Sequence, residues 1–180
     1  MIHIGHLTIN KIEKLLSVGD LRMAGKSEQV IKLVLGDPKL FDDVINSILS
    51  DNPGIRMRAS DAVEKISINH PEWLKPYKKL FLSEIVKIDQ KEVKWHVAQI
   101  LPRFTLTDRE REKIFNLMLS YLDDKSQIVK TFAMQALTDI AIQDTSYTDR
   151  VREIVHNLMD NGAPSQKSRG KKLLKTLGSV

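Results

Sequence analysis

Apolar and polar residues follow each other along this chain with the three-to-four-residue period of an amphipathic helix, and the pattern itself recurs. The segments 55–66, 93–104 and 129–140 align over twelve places. Each opens on an aliphatic residue followed by a base: Ile55-Arg56, Val93-Lys94, Val129-Lys130. Apolar residues then fall at places five, six, eight, nine and twelve, with Ser60 the polar exception. The steps are 38 residues from Ile55 to Val93 and 36 from Val93 to Val129. Two weaker copies flank them, Met23, Ser27, Val30, Ile31 and Val34 upstream and Gln166, Lys167, Gly170, Leu173, Leu174 and Leu177 downstream. Terminal units of an array have one neighbour to bury against and are expected to depart from the pattern.

A second helical pattern precedes each copy. It runs through Ile9, Ile12, Leu15 and Leu16, then Phe41, Val44, Ile45 and Ile48, then Leu74, Tyr77, Leu80, Phe81 and Ile85. The last two are Ile114, Phe115, Met118 and Tyr121, and Val151, Ile154, Val155 and Leu158. Thr107-Asp108-Arg109-Glu110 has the form of a capping box, and Pro38, Pro76 and Pro164 fall where a first helical turn tolerates proline. No useful length alternates with period two, so no sheet is expected. The prediction is an all-α fold of ten helices in five hairpins, over about 7–36, 37–69, 72–105, 107–143 and 147–178 of a single domain 1–180.

The aliphatic-base opening, the small residue at place five and the Asp-bearing turn just before it resemble the HEAT repeat, a helical hairpin of the armadillo-like family. The resemblance spans nearly the whole chain and is strongest in the three central units. It implies a right-handed α-solenoid, similar in length to short free-standing prokaryotic HEAT proteins with no assigned activity. It also implies that Arg56, Lys94 and Lys130 form a structural ladder with the turn acids Asp51, Asp89 and Asp124, and that the second helices line a concave face.

Helix geometry then selects the side chains a partner would meet. At about 100° per residue, places three, seven and ten lie opposite the apolar stripe. Those places hold Met57, Asp61 and Glu64, then Trp95, Gln99 and Pro102, then Thr131, Gln135 and Thr138. Trp95 stands out because its helix already has a full stripe in Val93, Val97, Ile100, Leu101 and Phe104. An indole flanked by amides has the composition of an interaction hot spot. With His96 and Arg103 at the edge of the stripe, the expected partner-binding set is Met57, Asp61, Trp95, His96, Gln99, Arg103, Thr131 and Gln135. Phe132 is assigned to packing between repeats and Trp73 to closing a hairpin turn.

Charge adds one further candidate. The net charge is +5, and 163–180 holds five bases (Lys167, Arg169, Lys171, Lys172, Lys175) and no acid, leaving 23 bases against 23 acids elsewhere. Nucleic acid could bind there, although a basic terminal helix is more often a solvated cap. The chain has no cysteine, so disulfides and thiolate chemistry are excluded. The histidines His3, His6, His70, His96 and His156 have no metal-ligand spacing. No phosphate loop, positioned nucleophile or paired carboxylate stands out, so neither cofactor nor metal nor small-molecule substrate is expected. Some alkylpurine DNA glycosylases are built from HEAT-like repeats and use Trp and Asp; Trp95 and Asp61 supply those residue types without a matched motif. Bilin lyases also carry HEAT-like repeats, usually shorter ones. No apolar run approaches a membrane span and the start lacks a signal-peptide pattern, so a cytoplasmic protein is expected. The function expected is a non-catalytic adaptor for a protein or peptide, with nucleic-acid binding as the alternative.

Overall fold

The computed structural model describes residues 5–18 and 26–178, and the side chains of all of these except 5–10. Met23 of the first copy and His3 lie outside the described residues, as do the side chains of His6 and Ile9. The described residues form ten α-helices joined by short turns, five of them 3-10, and contain no strand. They are α1 (Gly5–Leu16), α2 (Ser27–Gly36), α3 (Phe41–Ser47), α4 (Pro53–Asn69), α5 (Lys78–Ser83), α6 (Lys91–Ile100), α7 (Asp108–Tyr121), α8 (Gln127–Gln143), α9 (Thr148–Asn161) and α10 (Pro164–Leu177). None of them is long and apolar enough to cross a membrane.

Local chemistry explains most of the boundaries. Thr107 Oγ1 accepts from the Glu110 N–H while the Glu110 carboxylate accepts from the Thr107 N–H, completing the predicted box at the start of α7. Asn52 Oδ1 accepts from the N–H groups of Gly54 and Ile55 to start α4, with Pro53 in the first turn. Pro164 likewise opens α10. Two prolines act more strongly than expected. Pro76 lies inside a 3-10 stretch, Pro71–Tyr77, which reduces the following α5 to six residues. Pro102 ends α6 at Ile100 and turns the chain into the 3-10 segment Leu101–Arg103, because it offers no N–H to an α-helical bond and its ring crowds the preceding turn.

The packing falls into two compact units, Met1–Val97 and Ala98–Val180, the division lying within α6. In the first, α1 packs on α2, on α3 and on α4; α2 and α3 each pack on α4. Ile12, Val30, Val34, Ile45, Val63 and Ile66 are buried at its centre. In the second, α7, α9 and α10 all pack on α8, and α9 packs on α10. Ile114, Phe115, Val129, Leu137, Val155 and Leu173 form its core. Several side-chain bonds span about one repeat length. Ser27 donates to Asp61, Arg56 to Gln90, Arg111 to Asp144 and Arg169 to Gln135, each 33 or 34 residues away.

A buried charge secures the first unit. Arg58, 1% exposed, donates from Nη1 to the Leu16 carbonyl oxygen at 2.8 Å, meeting an acceptor at the C-terminal end of α1. A Cβ at Gly54 would stand 2.9 Å from that Nη1, so glycine makes room for the guanidinium. Ser60, the polar exception in the stripe, is fully buried and donates to the Arg56 carbonyl oxygen one turn back.

Candidate second-helix face

Helices α4 and α8 bury more than one stripe. Eleven of the 17 residues of α4 are buried and nine of the 17 of α8. Helix α4 is packed by α1, α2 and α3, and α8 by α7, α9 and α10, so positions opposite the main stripe meet a neighbouring element as well. Four side chains expected to face outward are therefore buried, Met57, Glu64, Thr131 and Thr138, and a fifth, Pro102, is buried in the 3-10 segment that packs on α8. The two threonines satisfy their hydroxyls inside α8, Thr131 on the Gln127 carbonyl and Thr138 on that of Met134. His96, expected at the edge, is buried too, at 8% exposure. Half-exposed positions are kept by Asp61 and Trp95 in the first unit and by Gln99, Arg103 and Gln135 in the second.

In the first unit, Asp61 organises the polar groups. Its Oδ2 accepts from Ser27 Oγ on α2 and from Lys65 Nζ one turn on, both at 2.9 Å. Trp95 and His96 are neighbouring tilted rings with centroids 5.5 Å apart. Burial holds the His96 imidazole down at about 4, Lys65 adds to the depression, and Asp61 opposes it. Its Nδ1 has no hydrogen-bond partner among the described residues, so the ring sits in the fold neutral.

In the second unit the corresponding polar residue is Gln135. Its Nε2 donates to Asp139 Oδ1 at 2.8 Å and its Oε1 accepts from Arg169 Nη1 at 3.0 Å, tying α8 to α10. Arg169 also lies over the Phe132 ring, 5.7 Å from its centroid. Burial raises the Asp139 carboxyl above its usual range, against the Gln135 hydrogen bond and the charges of Arg103 and Arg169.

Each unit also exposes an isoleucine that escapes the twelve-place pattern. Ile68 is 59% exposed and Ile142 40%. Ile68 lies seven residues after Asp61 and Ile142 seven after Gln135, two turns along the same side of α4 and of α8. The middle copy has Leu106 at this place, where the chain has already left the helix and the side chain is buried. Extending the alignment by two places would reveal the shared aliphatic; only packing shows that two of the three are exposed.

The ladder takes a mixed form. Lys94 pairs with Asp89 as expected. Arg56 meets Asp51 at its carbonyl oxygen, not its carboxylate, and gives its Nε to Gln90, which returns a bond to the Pro53 carbonyl. Asp124 accepts from the Ser126 N–H, closing the turn before α8, and Lys130 is half-buried. Trp73 stacks on His70 at 4.3 Å and meets Phe41 edge-on at 5.6 Å, closing the turn after α4. Tyr77 packs edge-on against Phe41, and burial together with Asp42 pushes its hydroxyl up to about 12.

No protein-family model matches this chain, and no curated protein matches it in sequence. Among solved structures it is similar to the crystal structure of an engineered protein, at a TM-score of 0.61 and 16% identity, over 95% of this chain and 79% of that one. At that identity the likeness is one of fold alone.

Proposed function

We propose that the repeats are HEAT-type hairpins stacked as a right-handed α-solenoid, and that the protein is a binding scaffold that takes a protein or peptide segment on its second helices. The packing order within each unit supports the stacking: α2 lies on α4 and α8 on α10, while α1 lies on α3. Helices of like rank touching across successive hairpins are what a stack of repeats requires.

The observation that carries the binding reading is the repeated pairing on α4 and α8 of a half-exposed polar residue with an exposed isoleucine two turns on, Asp61 with Ile68 and Gln135 with Ile142. An apolar anchor beside a hydrogen-bonding group suits recognition of a polypeptide, and half-exposed Trp95 adds the largest single contact area. The test is capture of a partner with the tagged protein, its identification by mass spectrometry, and titration of the purified pair. Trp95→Ala, Ile68→Ser and Ile142→Ser should each weaken the pair about tenfold or more, as removal of an interface anchor does, with helicity and melting temperature nearly unchanged. Unaltered affinity in all three variants, or a collapse of stability in Trp95→Ala, overturns the proposal.

A further inference from the structure

The last helix carries a surface the peptide-binding face does not use. Helix α10 packs on α8 and α9 through Gln166, Gly170, Leu173 and Leu177, all buried. On a helical projection these fall within an arc of about 60°. Lys167, Lys171, Lys172 and Lys175 are exposed, and they fall within an arc of about 140° on the other side. Arg169 belongs to neither set, since Gln135 and Phe132 hold it against α8. No acidic residue occurs from Ala163 onward, so the helix itself brings no acidic side chain to these lysines; Lys167 Nζ donates to the Asp160 carbonyl oxygen at 3.3 Å.

The orientation of this face is built in. A Cβ at Gly170 would stand 2.4 Å from Met159 Cγ, so the glycine lets α10 approach α9 closely. Gln166 Oε1 accepts from the Ala163 N–H at 2.7 Å and holds the start of the helix. The lysines are therefore displayed by a docked helix whose rotation is set by its packing.

We infer that this face binds the sugar-phosphate backbone of double-stranded nucleic acid without reading its sequence. From Lys167 to Lys175 the helix covers roughly 12 Å, over which a duplex carries about seven phosphate charges, enough for all four amines to find partners. Ser165 and Ser168 are exposed on the same helix and can donate to phosphate oxygens. The exposed side of α10 carries no aromatic residue on which an unpaired base could stack. Insertion into a membrane surface would need a free apolar face, and that of α10 is spent on α8 and α9.

Fluorescence anisotropy with a labelled mixed-sequence duplex tests this. The expected result is binding at low salt that a second, scrambled duplex reproduces, with log K falling against log salt at a slope of about −3 to −4, as four contacts require. Changing Lys167, Lys171, Lys172 and Lys175 together to Gln should lower affinity at least about tenfold and flatten that slope, while the same four changes to Arg should preserve both. If circular dichroism shows the quadruple Gln variant unfolded, Lys171→Gln with Lys172→Gln should remove about half of the slope. No binding at low salt overturns the inference, as do unchanged affinity in a folded Gln variant, tighter binding to a single strand, and stronger retention by phosphatidylserine vesicles than by duplex.

Discussion

His96 is neutral in the fold because a buried imidazolium would lack water, and its Nδ1 has no acceptor among the described residues. Its pKa is lowered from 6.5 to about 4, chiefly by burial. Between those values the unfolded chain holds more protons than the folded one, so this residue's contribution is complete above about pH 6.5 and is lost as pH falls towards 4. The loss amounts to about 3 kcal/mol at most. Urea denaturation followed from neutral to mildly acid pH should show that decline, and His96→Leu should flatten it; an unchanged pH slope in the variant would clear His96 of the effect. Residue chemistry of this kind was only half legible. His96 could be placed at the edge of a stripe, but its burial depends on what packs over that edge. Asp61 and Gln135 were found by helix geometry, whereas their partners Ser27, Lys65 and Arg169 were not. The signal for the two distant partners was a polar pair one repeat apart, and nothing in a twelve-place alignment isolates it.

At the scale of elements, periodicity located the helices and backbone chemistry reshaped them. The third hairpin departs most from its sister copies, because Pro76 shortens α5 and Pro102 ends α6 before the last places of the pattern. The fifth hairpin depends on the close approach at Gly170. Gly170→Val should force Met159 and Val155 aside and destabilise the fold by about 1–3 kcal/mol, the usual cost of overpacking a tight contact. A melting temperature equal to that of the parent would mean that the long Met159 side chain absorbs the added bulk. The helix itself should survive the change, since its other buried contacts, Leu173 and Leu177, are untouched.

For the molecule as a whole, the arrangement of neighbours singles out one helix in each unit. Because α4 and α8 are contacted on several sides, their central amides should exchange with solvent most slowly, near the rate set by global unfolding. Hydrogen-exchange mass spectrometry resolves this directly: greatest protection in α1 or α10 would contradict the packing described. The sequence by itself determined the all-helical class, the repeat and its register, the capping box at Thr107 and the concentration of charge after Ala163, since each follows from local periodicity, hydrogen bonding to nearby backbone, or counting. Only the tertiary structure decided that Met57, Thr131 and Thr138 are buried, that Arg58 lies in the core, that Arg169 turns inward, and that Ile68 and Ile142 face out. A helical wheel assigns one buried side, whereas a helix gripped by several neighbours has more than one, and which residues those neighbours cover is settled by contacts made far along the chain.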